Sequence, residues 1–314
     1  MKLLVFPQIG EFAGATYTPM SEDGLTVNLE AIGHYASFLS SRGLNVVFIN
    51  GTSGESMSLS EAERKAVTER WVEEGKKQSP RIRVIAHVGS DSLSATRELA
   101  RHAEEVGVDA ISAMTPIMFK PANVMDLAQW LKLVCAAAPA TPFYYYNFPV
   151  ITGVALDAAK LLGAVEAVGI PQFRGFKFTD FNLFAFECCV AYSGGAYEVC
   201  YGRDEAAVGG MATGATAHIG NGFCFMMGPF RRMREGEAAG RADPIDAAAR
   251  EATRRRLRQG ARPSKRTRPR QTVPGCFSLS RACHLTVPPR SLPGTFPQPS
   301  GPATWPRRAR SSAA

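Results

Sequence analysis

The stretch FRGFKF, residues Phe173–Phe178, is apolar and aromatic around a single lysine, and its composition favours a buried β-strand. Strand alternation would place Phe173 and Lys177 on one face, and Phe176 and Phe178 on the other. An ammonium carried on such a strand loses hydration, so the pKa of Lys177 falls and the free amine becomes a nucleophile. Such an amine can attack a carbonyl and form a Schiff base. The alternative is a strand-end lysine that snorkels to solvent.

Seven further pieces have the same short, strand-like composition: Ala15–Pro19, Asn45–Ile49, Arg83–His87, Asp109–Met114, Phe143–Tyr146, Tyr197–Tyr201 and Ala215–Ile219. Amphipathic stretches of helical period lie between them, for example one with Leu29, Ile32 and Leu39 on one face. Another begins after Ser60 and includes Trp71. Eight strands that alternate with helices predict an α/β fold of the (β/α)8 barrel type, and a doubly wound open sheet is the alternative.

Polar residues follow several of these strands. Thr52 and Ser53 lie in a glycine-flanked turn after strand 2, where hydroxyls and backbone N–H groups can hold a carboxylate. Tyr146 ends strand 5, where a phenol can move a proton. An ordinary turn and a packing tyrosine are the alternatives. In a barrel these loops converge at the carboxyl ends of the strands, together with those after strands 6, 7 and 8. An open sheet would leave the strand 2 and strand 8 loops far apart.

The charge of the chain is unevenly distributed. The 314 residues carry a net +8, but residues 241–314 carry +13 and residues 1–240 carry −5. The folded part therefore offers no case for binding nucleic acid. Residues 241–314 also hold 11 prolines and show no periodicity, so we expect a barrel domain over 1–240 and a disordered basic tail over 241–314. Such tails can bind nucleic acid, acidic lipid or import receptors; a tail without function is the alternative.

Other patterns exclude several classes of protein. The seven cysteines form no CxxC pair, which favours reduced thiols in a cytoplasmic protein. The five histidines are isolated and no HExxH motif occurs, so no metal site is expected. No segment reaches the run of about 18 apolar residues that a membrane span needs, and the apolar run Leu3–Phe6 is too short for a signal sequence, so neither is expected.

Five motifs in this order carry a resemblance to a known family: Gly51–Glu55, Tyr144–Pro149, Gly175–Asp180, Gly202–Glu205 and Gly214–Thr216. From about Gly14 to Gly228, the chain resembles the N-acetylneuraminate lyase branch of the pyruvate-dependent class I aldolases, the superfamily that includes dihydrodipicolinate synthase. The resemblance implies a TIM barrel, assembled as a homotetramer, with no metal and no organic cofactor. It also implies cleavage of N-acetylneuraminate, a sialic acid, to pyruvate and N-acetyl-D-mannosamine.

The resemblance assigns roles to particular residues. Lys177 would form the Schiff base and Tyr146 would relay protons, while Thr52 and Ser53 would hold the substrate carboxylate. The sugar tail would be bound by the remaining site residues: Thr179, the Gly202 backbone, Asp204, Glu205 and Asn221. For the acidic pair, the alternative is the solvated first turn of a helix.

The chain also departs from the family. Asn221 stands where the family usually has a serine, and Met118-Phe119 where some relatives supply a tyrosine to a neighbouring subunit. His218 lies in a strand that normally carries small residues. The basic tail replaces the helices that follow strand 8 in relatives. Two alternatives therefore stay open: another pyruvate-dependent sugar-acid aldolase, or a truncated, non-catalytic variant.

Overall fold

A computed structural model describes residues 8–10, 12–240 and 251 of the chain. Eight parallel strands pair in chain order and close on themselves, with β1 beside β8. Their bounds are β1 Phe12–Ala15, β2 Val46–Ile49, β3 Arg83–His87, β4 Ala110–Ala113, β5 Phe143–Asn147, β6 Phe173–Phe178, β7 Glu198–Tyr201 and β8 Ala217–Gly220. The predicted (β/α)8 barrel is confirmed, and the open-sheet alternative is wrong.

Helices follow the strands and surround the barrel. Their bounds are α1 Glu30–Ser41, α2 Glu61–Lys76, α3 Leu93–Val106, α4 Val124–Cys135, α5 Pro149–Thr152, α6 Ala158–Val168, α7 Leu183–Ala191, α8 Ala207–Ala212 and α9 Phe223–Ala238. The helix predicted after Ser60 is α2, whose N-terminus carries a reciprocal capping box between Ser60 and Glu63. Trp71 of α2 is fully buried and meets Tyr35 of α1 edge-on, at 5.5 Å between ring centroids. Local capping and an apolar face therefore specify this helix pair.

Strand 1 is the one strand that the sequence misplaced. It spans Phe12–Ala15, so it shares only Ala15 with the predicted piece Ala15–Pro19. The ladder to β2 ends just after Ala15, where the Thr16 N–H donates to the Phe48 carbonyl at 3.1 Å. Pro19 has no N–H to donate, so it cannot extend the ladder.

Strand 6 contains a bulge that corrects the predicted alternation. Phe143 pairs with Phe173 but the next residue, Tyr144, pairs with Gly175, so β6 carries one extra residue. Phe173 therefore packs outside the barrel, 5.7 Å from Phe176 between ring centroids, and not on the face of Lys177. Gly175 has a φ of 150°, and a Cβ there would overlap the Glu198 carbonyl oxygen.

Several predictions concern features outside the barrel wall. The tail, residues 241–314, lies outside the described residues except for Glu251, so the boundary at residue 240 stays a prediction. Within the described part, five cysteines are unpaired: Cys135, Cys188, Cys189, Cys200 and Cys224. The same part contains no group of three or more His, Cys, Asp or Glu side chains that could hold a metal ion. None of its helices combines the length and the apolarity needed to cross a bilayer.

Candidate active site

Lys177 lies near the carboxyl end of β6 with its side chain inside the barrel. The residue is 3% exposed, so the snorkelling alternative is wrong. Its Nζ lies 3.8 Å from the ring centroid of Phe48 and 3.9 Å from that of Tyr146. Burial lowers the pKa of Lys177 to about 7, although the nearby Asp204 and Cys200 oppose this shift. A large fraction of this amine is therefore unprotonated and nucleophilic near neutral pH.

Tyr146 is the direct neighbour of Lys177 on the adjacent strand, since the two residues pair in the β5–β6 register. Its hydroxyl lies 3.3 Å from the Thr52 Oγ1, so the loop after β2 reaches the phenol across the barrel mouth. Burial raises the pKa of Tyr146 to about 12, and the hydroxyls of Thr52 and Thr179, followed by the Arg203 charge, offset part of the rise. The phenol is thus protonated at rest and has a hydroxyl partner with which it can exchange a proton.

The loop after β2 is held in place from two sides. Asn50 adopts a left-handed conformation with a φ of 54°, and its side-chain amide donates to the Arg64 carbonyl at 3.0 Å. This bond ties the loop to α2. At the other side, the Asn221 side-chain amide donates to the Ser53 Oγ at 3.4 Å. The loops after β2 and β8 therefore meet, as barrel closure predicts.

Thr179 and Gly202 join the loops after β6 and β7. The Thr179 N–H donates to the Asn147 carbonyl at 2.8 Å, and the Gly202 N–H donates to the Phe178 carbonyl at 2.7 Å. Thr179 is 4% exposed. A Cβ on Gly202 would overlap the Thr179 Oγ1, so the glycine leaves the room that this hydroxyl occupies. The two residues form one packed unit beside the Tyr146 phenol.

Asp204 and Glu205 are not equivalent, although the sequence presents them as a pair. Asp204 is 7% exposed, and its Oδ2 accepts from the Gly222 N–H at 2.6 Å. Its carboxylate therefore links the β7 loop to the start of α9. The Glu205 side chain is 35% exposed and forms an ion pair with Arg203 at 3.7 Å. The solvated-turn alternative is wrong for Asp204, whereas Glu205 faces solvent.

Sequence reasoning missed His87, which lies at the end of β3. It is 1% exposed, and its ring stands 5.9 Å from that of Tyr146. Its Nε2 accepts from the Met114 N–H at 3.2 Å, so its Nδ1 carries the proton and donates to the Asn50 carbonyl at 3.0 Å. Burial, followed by the charges of Arg64 and Lys177, holds the pKa of His87 well below its usual value. In the sequence, the position of His87 at the end of a predicted strand was the signal that could have identified it as a site residue.

Sequence reasoning also missed Arg203, the residue between Gly202 and Asp204. Its guanidinium carbon lies 4.3 Å from the ring centroid of Phe181 and 5.1 Å from that of Phe148. An arginine in an otherwise acidic loop was the signal, but the sequence could not show which rings would hold it.

Two of the noted departures lie away from this cluster. Met118 and Phe119, in the loop after β4, are 72% and 86% exposed. His218 is fully buried on the outer side of β8, and its ring centroid stands 5.6 Å from that of Phe12 and 6.4 Å from that of Phe223. It packs between the barrel and α9 and does not enter the mouth.

The fold and the site define a class of protein: a (β/α)8 barrel with a buried amine of lowered pKa at the carboxyl ends of its strands. The sequence model of the dihydrodipicolinate synthetase family matches residues 8–258. The chain belongs to this family.

Curated relatives share about two fifths of their aligned residues with this chain. N-acetylneuraminate lyase B of Xenopus laevis is 42% identical over 214 residues, which cover 68% of this chain and 78% of the relative. N-acetylneuraminate lyase of Homo sapiens is 39% identical over 227 residues, which cover 71% of this chain and 70% of the relative.

Solved structures similar to this chain also include N-acetylneuraminate lyases and sialic acid aldolases. The N-acetylneuraminate lyase of Proteus mirabilis superposes with a TM-score of 0.73 at 33% identity, covering 77% of this chain and 80% of that chain. A sialic acid aldolase of Ruminococcus gnavus, described as a catalytic lysine mutant, has a TM-score of 0.74 at 27% identity. That match covers 81% of this chain and 80% of that chain.

Proposed function

We propose that this protein is a carbon–carbon lyase that cleaves N-acetylneuraminate to pyruvate and N-acetyl-D-mannosamine through a Schiff base on Lys177. The observation that carries the proposal is the Lys177 amine, buried between two aromatic rings with a pKa of about 7. The relatives named N-acetylneuraminate lyase support the substrate, and the catalytic lysine of the Ruminococcus gnavus sialic acid aldolase supports the nucleophile.

The chemistry begins with an open-chain sugar acid. The Lys177 amine attacks the C2 ketone and expels water to form an iminium ion. The C4 hydroxyl loses its proton, and the electron pair of the C3–C4 bond moves toward the iminium carbon. The aldehyde N-acetylmannosamine leaves and an enamine remains on Lys177. Protonation at C3 and hydrolysis then release pyruvate and restore the amine.

Tyr146 is the proton relay in this proposal. Its phenol adjoins both the nucleophile and the Thr52 hydroxyl, which lies 3.3 Å away. A proton from the C4 hydroxyl can therefore pass to this pair and return to the enamine carbon. Thr52 and Ser53 would hold the substrate carboxylate through hydroxyl and backbone N–H groups. Asn221 supports that grip, because its side-chain amide donates to Ser53.

The sugar tail would lie over the loops after β6, β7 and β8. Glu205 is a suitable acceptor for its hydroxyls because an ionised carboxylate accepts at several lone pairs. Asp204, the Thr179 hydroxyl and the Gly202 backbone would form the floor beneath it. Since Asp204 already accepts from the Gly222 N–H, its share in tail binding is coupled to the fold of the β8 loop.

Assembly and location are further parts of the proposal. A homotetramer agrees with the exposed apolar side chains Met118, Phe119 and Val150, which are 72%, 86% and 70% exposed. A cytoplasmic location agrees with the five unpaired cysteines of the described part.

Reductive trapping tests the nucleophile. We expect pyruvate with borohydride to leave one covalent adduct, which peptide mass spectrometry places on Lys177. Lys160, whose side chain is 77% exposed, supplies the matched control, since Lys160→Met should trap pyruvate normally. An adduct that is absent, or that lies on another lysine, contradicts the proposal.

A panel of sugar acids tests the substrate. Faster release of N-acetylmannosamine than of other aldehydes separates this activity from that of a different sugar-acid aldolase.

A further inference from the structure

Arg203 is held in a clamp of aromatic rings at the barrel mouth. The rings belong to Phe148 and Phe181, whose centroids lie 5.1 Å and 4.3 Å from its guanidinium carbon. Phe148 in turn stacks on Tyr146, at 5.6 Å between centroids and 25° between planes. Three consecutive loops, after β5, β6 and β7, therefore join to place one permanent cation next to the proposed proton relay.

No other residue that the structure describes accepts from the donors of this guanidinium at normal hydrogen-bond distance. Across residues 12–240, the Nε of Arg203 is buried without a hydrogen-bond partner. The contact with Glu205 measures 3.7 Å, which suits an ion pair but is too long for a hydrogen bond. The side chain is 16% exposed, so it is not fully enclosed by the protein. A rigid, partly open donor group of this kind is suited to a ligand with acceptor oxygens.

The direction of the substrate follows from the barrel order. Loops β2 and β6 lie on opposite sides of a closed barrel of eight strands. A carboxylate held at Thr52 and Ser53, with its keto carbon at Lys177, leaves the rest of the carbon chain pointing over the β6–β8 side. Arg203 stands there, and its charge acts on Tyr146. The guanidinium therefore faces the portion of the substrate that leaves as the aldehyde.

We propose that Arg203 is a specificity-determining residue that donates hydrogen bonds to oxygen atoms of the departing aldehyde half. This inference rests on the proposed function and names the chemistry that the site selects: a long, oxygen-rich tail. The Arg203–Glu205 pair presents donors and an acceptor together, which matches a polyol or an acylamino group. Because the charges of Arg203 and Glu205 offset one another, the pair can bind a substrate tail that carries no charge of its own.

Substrate length provides the test. We compare N-acetylneuraminate, the nine-carbon acid with a hydroxyl in place of the acylamino group, and a six-carbon 2-keto-3-deoxy sugar acid. Arg203→Met keeps an apolar stem between the two rings but removes every donor. Arg203→Lys keeps the charge without the fork, and Arg97→Met on the exposed side of α3 is the matched control.

We expect Arg203→Met to lower kcat/KM for N-acetylneuraminate about tenfold, the scale of one lost hydrogen bond from a charged donor. The six-carbon acid should change by less than about twofold, and Arg203→Lys should fall between wild type and Arg203→Met. A loss confined to N-acetylneuraminate assigns the contact to the acyl carbonyl, whereas a loss on both nine-carbon acids assigns it to the hydroxyls. Arg97→Met should match wild type on every substrate.

Equal losses on all three substrates would overturn the inference, because they indicate a role in folding or in the chemical step. So would unchanged kcat/KM on all three. Pyruvate trapping at Lys177 distinguishes this failure from that of the proposed function. If wild type traps pyruvate and the substrate ratios do not move, only the role of Arg203 falls. If wild type traps no pyruvate, both claims fall.

Discussion

Glu198 and Lys177 are buried at opposite ends of the barrel, and their surroundings differ. Glu198 begins β7 at the amino ends of the strands and is 8% exposed. It accepts hydrogen bonds from the Ile9 N–H at 2.8 Å and from the Tyr144 hydroxyl at 2.5 Å. Lys177, at the carboxyl ends, has two aromatic rings and, within the described residues, no hydrogen bond or ion pair at its Nζ.

This difference separates a hydrogen-bonded carboxyl group, Glu198, from the amine that we propose to be the nucleophile, Lys177. Burial pushes both groups toward their neutral forms, since it raises the pKa of Glu198 and lowers that of Lys177. At Glu198 the two donors oppose that shift and also close the bottom of the barrel. At Lys177 no described residue accepts from or donates to the amine, so its lone pair stays available for attack. We therefore expect substitution of Glu198 to change stability and substitution of Lys177 to change the reaction.

The largest expected effect comes from removing the reactive group. Lys177→Met should abolish both pyruvate trapping and cleavage, because among the described residues Lys177 alone places an amine between the Phe48 and Tyr146 rings. Glu198→Gln should retain trapping, since its amide oxygen can still accept a hydrogen bond. Mass spectrometry after borohydride reduction measures both variants. If Lys177→Met still trapped pyruvate, the contrast drawn between Lys177 and Glu198 would be wrong, because imine formation would not depend on this amine.

Tyr146→Phe should lower kcat by about 10²–10⁴, the usual contribution of a positioned proton relay. Pyruvate trapping should persist, because the nucleophile and the ring beside it remain. Single-turnover kinetics with N-acetylneuraminate, alongside trapping, measure the two effects separately. A variant that cleaves at the wild-type rate would exclude the phenol from the relay.

Glu198→Ala should cost stability instead of chemistry. It leaves the Tyr144 hydroxyl and the Ile9 N–H buried without an acceptor, which should lower the free energy of unfolding by about 3 kcal/mol. Denaturant unfolding measures the change, and Glu187→Ala on the exposed side of α7 is the control, with less than about 0.5 kcal/mol expected. If the folded fraction of Glu198→Ala lost its trapping rate, the two ends would be coupled.

The pKa of Lys177 predicts a pH dependence. Only the neutral amine attacks, so the initial rate of imine formation should rise with pH, reach half its plateau near pH 7 and be about one tenth of the plateau one unit below that. Stopped-flow measurement from pH 5 to 9 gives the curve. A midpoint above pH 9 would mean that the amine is not desolvated in solution.

The free energy of unfolding should depend on the same pKa shift, and it too should rise with pH. Between about pH 7 and 10.5, the unfolded state holds more protons on Lys177 than the folded state, so the stability of wild type rises with pH in this window. Lys177→Met removes the buried ammonium and should be more stable than wild type below pH 7. Its advantage should shrink as pH rises through the window. Thermal unfolding at pH 6 and pH 9 measures the trend, and an advantage independent of pH would contradict it.

The sequence predicted the bounds of the strands that carry the site better than it predicted the contacts between elements. Strands β3 and β6 match the predicted pieces residue for residue, because short apolar runs bounded by polar loops specify them locally. The first strand was misplaced because Gly14 and two alanines give it little β-propensity. Its pairing with β8 decides its position instead.

The residues of the candidate site likewise divide into those that the sequence could predict and those that it could not. Lys177 and Tyr146 could be proposed from their places at strand ends, since a closed parallel barrel brings those ends together. The roles of Asp204 and Glu205 could not be separated, because their difference depends on the Gly222 N–H from another strand's loop. Arg203 was missed because the ring of Phe181 that holds it comes from the preceding strand's loop.

By itself, the sequence determined the alternation of strands and helices, the lysine on an apolar strand and the order of the mouth loops. These features depend on backbone periodicity and on residues close together in the chain. Only the tertiary structure decided that the β6 bulge turns Phe173 outward and that Ser53 meets Asn221. It also decided that the Lys177 amine contacts two aromatic rings, whereas the Glu198 carboxylate accepts two hydrogen bonds. Such contacts join residues far apart in sequence, and they exist only once the barrel has closed in a particular register.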